Sequence, residues 1–192
     1  MLDVREGRSA GDHDGGIAGG MPPGAFDSTD RRWMRVYRRL RSRARRLMAA
    51  ERVGHTLEPT GLVHEMILRV SRDRRAPRSP EEFLAAGAVV MRRILVESAR
   101  RRGRVKRGGH LVRIDIAPDT IVDGGCLERI VAVDRALDRL DAVDPEAAHV
   151  AVLRHFGGMT IRESAHVLGV SQRTVDRLWA FAVAWLRREL DD

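Results

Sequence analysis

The sequence has almost no cysteine, few aromatic residues and no long apolar run, and each scarcity excludes something. The lone Cys126 has no internal disulfide partner, which rules out the stapled scaffold of a small secreted domain and makes the cytoplasm the expected compartment. No apolar stretch approaches the roughly 20 residues that span a bilayer, and no signal-peptide core follows Met1, so no membrane partner is expected. Aromatics at 4% argue against a β-sandwich and suit small helical domains packed on Leu, Val, Ile and Ala. Among the seven histidines, including His55, His64, His149, His155 and His166, no pair has metal-ligand spacing on one helix with a carboxylate third. No serine sits in a nucleophile-elbow context. No cofactor, no metal and no enzymatic activity are therefore expected.

What is abundant is arginine. The chain of 192 residues, long enough for one large or two small domains, carries a net charge of +8. The charge is uneven: residues 31–113 hold 24 basic against 7 acidic side chains, and residues 127–192 hold 9 against 11. A basic half implies a polyanionic partner, because each neutralised phosphate releases condensed counterions. Nucleic acid and an anionic membrane surface both meet that description, and the missing apolar segments leave the membrane as the weaker of the two.

Residues 1–27, rich in Gly, Asp and Pro and without hydrophobic periodicity, form an expected disordered tail. Trp33, Val36, Tyr37, Leu40 and Leu47 at helical spacing predict a basic helix over 28–50, interrupted at Gly54. A second begins near Pro59 and carries Leu62, Val63, Met66, Ile67 and Val70. The Arg-rich stretch 71–80 is a loop. Ser79-Pro80-Glu81-Glu82 then starts a third helix: serine caps, proline takes the first position, and Glu82 reaches back to the cap. That helix is expected to run to about Arg102, with Phe83, Gly87, Val90, Met91, Ile94 and Leu95 facing a core and Arg92, Arg93 and Arg100 pointing away from it. Residues 103–126 turn glycine-rich. Val112, Ile114 and Ile116 alternate with charges, but a lone strand has no partner, so an extended linker is expected. Helices resume at 127–140 and again after the cap Asp144-Pro145-Glu146, ending at Gly157-Gly158.

The most specific local signal follows. Thr160-Ile161-Arg162-Glu163 is a capping box opening a short helix with Ala165 and Leu168. Gly169 permits a sharp turn, Val170 is expected to pack beneath it, and Ser171 caps a second helix with Val175, Leu178, Ala182 and Leu186 on one face. This is the spacing of a helix-turn-helix, and Gln172, Arg173, Thr174, Asp176 and Arg177 occupy the end that enters a major groove. Arg pairs with a guanine edge and Gln with an adenine, each worth roughly 1–3 kcal/mol of discrimination. An ordinary helical hairpin with solvated arginines is the plainer reading of the same residues.

Two further stretches resemble extracytoplasmic-function (ECF) sigma factors. One is Thr56-Leu57-Glu58-Pro59-Thr60-Gly61-Leu62-Val63-His64-Glu65, followed by Leu68-Arg69. The other is Met91-Arg92-Arg93-Ile94-Leu95-Val96-Glu97-Ser98-Ala99-Arg100, followed by Lys106-Arg107-Gly108-Gly109. The C-terminal run from Leu153-Arg154-His155-Phe156-Gly157-Gly158 to Glu189-Leu190 resembles the same family, and the motifs stand in the family's order over residues 28–190.

The resemblance implies an all-α chain of two small helical domains: sigma-2-like over 28–107 and sigma-4-like over 127–192, joined by a linker over 108–126. It implies core RNA polymerase and promoter DNA as partners, and it admits an anti-sigma factor, which nothing in the chain encodes. By resemblance, Leu62, His64, Glu65, Leu68 and Arg69 would dock on polymerase, and Arg92, Arg93, Glu97, Arg100 and Arg101 would face the −10 element. Arg162, Ser171, Gln172, Arg173, Thr174, Asp176 and Arg177 would face the −35 element. Three departures stand out. Met66-Ile67-Leu68-Arg69-Val70 replaces the usual AYLRL, and Glu97-Ser98 replaces an Asp-His pair. Asp176 and Leu178 stand in Thr174-Val175-Asp176-Arg177-Leu178-Trp179, where TVKRDW is common, so an acid replaces a lysine beside phosphates. Phe83 is the only aromatic between Tyr37 and Phe156, which implies weak melting power and stringent promoter demands. Two rival readings remain, a stand-alone dimeric regulator using the helix-turn-helix and a basic RNA-binding protein; neither accounts for the order of the N-terminal motifs.

Overall fold

The computed structural model describes residues 31–49, 57–72, 77–105 and 127–191. They form seven helices in the order α1 (Arg31–Leu47), α2 (Pro59–Ser71), α3 (Pro80–Val105), α4 (Leu127–Val143), α5 (Pro145–His155), α6 (Ile161–Leu168) and α7 (Gln172–Asp191). No strand occurs among the described residues. The described residues are all-α, the class that the aromatic-poor composition suits.

Helices α3, α5, α6 and α7 start where the sequence supplies a side-chain cap. Proline opens α2 and α5, whose first N–H groups would lack partners anyway. The Asp144 carboxylate accepts from Ala147 N–H at 2.9 Å. At α3, Ser79 Oγ accepts from Glu82 N–H at 3.1 Å, as expected, but the Glu82 carboxylate reaches past the cap to Arg78 N–H at 2.7 Å. The box at α6 is complete, with Glu163 N–H donating to Thr160 Oγ1 and Thr160 N–H to Glu163 Oε2. Gly169 then adopts φ 67°, a left-handed conformation in which a Cβ is strained.

The first three helices pack on one another, and so do the last four. In the first unit Leu40, Leu62, Met66, Met91 and Leu95 are fully buried; in the second, Leu137, Leu140, Leu153, Phe156 and Leu186 are. The two units also meet. Helix α3 packs against α4, α5 and α6, and one continuous core runs through both. Periodicity had assigned α3 a single buried stripe. Its second buried side, Leu84, Ala88 and Val96, appears because another layer covers it. Gly157 makes the close approach possible: a Cβ there would stand 3.0 Å from Ala88 Cβ and 2.6 Å from Leu153 O.

The expected tail, the interruption at Gly54, part of the Arg-rich loop and the linker, with Val112, Ile114, Ile116 and Cys126, lie outside the described residues.

Candidate nucleic-acid interface

The helix-turn-helix is the most fully specified part of the surface. Val175, Leu178, Ala182 and Leu186 turn inward from α7 onto the core, and Ala165 is small enough to let α6 approach. Ser171 Oγ caps α7 by accepting from Thr174 N–H at 3.1 Å. Locking the apolar side in this way leaves Gln172, Arg173, Asp176 and Arg177 exposed at the N-terminal end of α7, with Arg162 exposed on α6 and Thr174 half-buried. Donors and acceptors suited to base edges thus sit on a rigid, capped helix end. Val170 does not pack beneath the turn. It is 36% exposed, and its N–H bonds Ala165 O at 3.1 Å, so the turn is held by backbone rather than by that side chain.

The α2 surface expected to meet polymerase is narrower than the motif. Leu62 is 0% exposed and belongs to the core of the first unit, so it supports the surface from beneath. Exposed or half-buried around it are His64, Glu65, Leu68 and Arg69. The His64 ring stacks on Tyr37, with Tyr37 Oη and His64 Nε2 3.3 Å apart. Arg69 donates to Glu65 at 2.8 Å and to both oxygens of Glu97 at 3.0 and 3.2 Å. Those bonds hold the Glu97 carboxyl below its ordinary value and push the Arg69 guanidinium above its own, with Glu97 the larger cause. The expected polymerase surface and the expected −10 surface are therefore one hydrogen-bonded patch.

On α3 the five expected −10 residues divide. Arg93 and Glu97 are exposed, and Arg101 donates to Glu97 O at 3.4 Å on the same helix. Arg92 does not point into solvent. Its Nε donates to Asp134 Oδ1 at 2.8 Å, and its Nη2 donates to Asp134 O at 3.1 Å and Asp138 Oδ1 at 2.6 Å. Arg100 Nη2 donates to Asp134 Oδ2 at 3.1 Å. Asp134, only 7% exposed, thus takes two arginines from the other unit. Phe83 is buried in the core, its ring edge-on to Trp33 at 5.6 Å, so α3 offers no aromatic platform to a base.

Sequence reasoning missed the contacts across the two units. Arg39 on α1 donates to Glu163 at 2.5 and 2.8 Å and to Gly158 O at 3.1 Å. Glu163 is the capping-box residue as well, and Arg39, as the leading cause, brings its carboxyl down to about 2. Arg43 is 7% exposed; its Nε bonds His155 O, and its Nη2 lies 3.3 Å from His155 Nδ1. Burial brings the Arg43 guanidinium down to about 10, and Arg46 adds to the effect. Burial also pushes His155 well below 6.5, with Arg43 second, so His155 is neutral at pH 7 and its Nδ1 accepts. No sequence signal marks Arg39 and Arg43 among their arginine neighbours.

Among the described residues no group of His, Cys, Asp or Glu is arranged to hold a metal ion, and no helix is long and apolar enough to cross a membrane. Arg154 lies 4.6 Å over the Trp179 ring, and Trp179 and Trp185 pack against the core.

Residues 22–192 match the family described as "ECF sigma factor". No curated protein and no solved structure matches the chain.

Proposed function

Because the chain belongs to the ECF sigma factor family, and so acts as an RNA polymerase sigma factor in transcription initiation, we propose that its two units divide promoter recognition between them. In this reading residues 28–107 form the sigma-2-like unit and residues 127–192 the sigma-4-like unit, with 108–126 between them. The family implies core RNA polymerase and promoter DNA as partners.

On the sigma-4-like side, Gln172, Arg173, Thr174 and Arg177 meet −35 base edges and phosphates, with Arg162 and Ser171 beside them. Asp176 repels phosphate and narrows the sequences tolerated. On the sigma-2-like side, His64, Glu65, Leu68 and Arg69 meet polymerase over a layer braced by Leu62. Arg92, Arg93, Arg100 and Arg101 hold −10 phosphates, with Glu97 positioned by Arg69. Without an aromatic on the surface of α3, a flipped base lacks the stacking worth roughly 1–3 kcal/mol. Promoters must therefore melt easily or match closely.

The chain performs no catalysis of its own and works in the cytoplasm, where core polymerase is. An anti-sigma factor as a further partner belongs to the same proposal. The observation that carries the reading is the family match through both units, joined to a helix-turn-helix whose groove-facing end is free. A stand-alone regulator would leave the first unit without a task. The test is co-elution with purified core polymerase. The chain is expected to bind core, and the triple variant His64→Ala, Leu68→Ala, Arg69→Ala to bind at least tenfold more weakly while keeping its fold. Equal binding by both would remove the assignment of α2.

A further inference from the structure

Helix α1 carries nine arginines and no acid in its 17 residues. Val36, Leu40, Arg43, Ala44 and Leu47 face the core. On the opposite side Arg31, Arg35, Arg38, Ser42 and Arg45 follow one another at offsets of four and three residues, all exposed, and so form one straight row. At about 1.5 Å per residue the row covers about 21 Å of helix axis. Carboxylates neutralise Arg39, Arg69, Arg92 and Arg100, but among the described residues none pairs with the four arginines of the row. Arg38 Nε donates to Met34 O at 3.2 Å, within its own helix.

Such a row works against the helix that carries it. Like charges one turn apart repel, and Arg31 and Arg32 stand at the positive N-terminal end of the helix dipole, where an acid would be favourable. A solvated side needs charge, but mixed signs would serve it better. What relieves the row is a partner whose negative charge repeats along a line. Duplex DNA is one, and about 21 Å of row spans about six base pairs at about 3.4 Å each. An anionic membrane fits less well, because the apolar side of α1 that would enter it is already buried in the core. A single strand calls for aromatic platforms, and Trp33 and Tyr37 are turned aside onto Phe83 and His64. One flank of α1 is closed by Tyr37 on His64 and the other by Arg39 on Glu163. The row can therefore lie along a sugar-phosphate backbone but cannot sink into a groove about 12 Å wide.

We propose that Arg31, Arg35, Arg38 and Arg45 form a phosphate-binding ridge on α1 that holds duplex DNA without regard to sequence, separate from the surfaces assigned to the −10 and −35 elements. The ridge has a signature that base readout lacks. Each phosphate it neutralises releases counterions, so each contact steepens the log–log fall of affinity with salt by about 0.9. Contacts of this kind also let a protein slide along DNA.

The test uses the full chain and a fluorescent duplex of about 24 base pairs of shuffled sequence, with binding followed by anisotropy between about 50 and 200 mM salt. The quadruple variant Arg31→Gln, Arg35→Gln, Arg38→Gln, Arg45→Gln is expected to bind at least about tenfold more weakly at the lowest salt and to lower the slope by about 3 to 4. Arg35→Gln, Arg38→Gln alone should lower it by about 2. The control Arg135→Gln, Arg188→Gln removes two exposed arginines of the second unit and should leave the slope within about 0.5 of the parent's. Glutamine keeps helix propensity, and circular dichroism checks the fold; if the quadruple variant does not fold, the double variant decides. Equal slopes for the double variant and the control would overturn the ridge. So would a tenfold preference of the parent for an RNA duplex of the same sequence. An unchanged slope with binding to core polymerase lost would overturn it as well, by making the row a protein contact. The −10 and −35 residues are intact in every variant, so failure of the ridge leaves the promoter reading standing.

Discussion

The two units differ in charge and in how their structure is specified. The first, α1–α3, carries most of the basic excess; the second, α4–α7, is near neutral and holds its acids where the first can reach them. Asp134, Asp138 and Glu163 of the second unit face Arg92, Arg100 and Arg39 of the first. A charge imbalance that points to a nucleic-acid partner therefore also joins the halves. The second unit is fixed locally, by caps and a left-handed glycine. The first is completed by what covers α3.

The largest effect should come from the core of the second unit. Phe156→Ala, at a fully buried ring, is expected to cost about 3–5 kcal/mol by denaturant unfolding. A broad transition with two midpoints would show that the units unfold separately and sharpen the comparison. Next comes the contact between them. Asp134→Ala leaves Arg92 without the more buried of its two carboxylates and should cost about 1–3 kcal/mol, and a double-mutant cycle with Arg92→Ala should show coupling above about 0.5 kcal/mol. Additive costs would make the halves independent. Thr160→Ala should cost about 1 kcal/mol through the lost cap.

Acid should separate two further contacts between the units, Arg43 with His155 and Arg39 with Glu163, by pH. His155 is held neutral, so its contribution is complete above 6.5 and lost as pH falls below that value, because only the opened chain takes up the proton. Melting temperature should decline from pH 7 to 5, and His155→Gln should flatten the decline. Glu163 acts lower: its contribution is complete above 4.5 and lost as pH falls toward about 2. The smallest stability effect belongs to the recognition helix. Gln172→Ala and Arg173→Ala should change stability by less than about 0.5 kcal/mol while reducing promoter-specific transcription about tenfold.

Much of the fold was legible because its signals are short in sequence. Asp144-Pro145, Thr160 with Glu163, Gly169 and Ser171 act within one turn, and their helices begin where they indicate. The inward residues of α7 followed from spacing alone. The contacts across the units were not legible, because Arg92 and Asp134 are 42 residues apart and Arg39 and Glu163 are 124 apart. Nothing local tells an arginine destined for phosphate from one destined for a carboxylate. Spacing turned Arg92 away from the stripe of α3 without showing that Asp134 and Asp138 stand there to pair with it. Leu62 sits inside a surface motif yet faces the core, because it shares the inward side of α2 with Val63, Met66 and Val70.

The most direct measurement is run-off transcription by purified core polymerase on a genomic promoter library, with and without this chain. Promoter-specific transcripts that require the chain, and that fall when Gln172 and Arg173 are replaced, are the predicted result. No chain-dependent transcripts, together with no binding to core, would contradict the account.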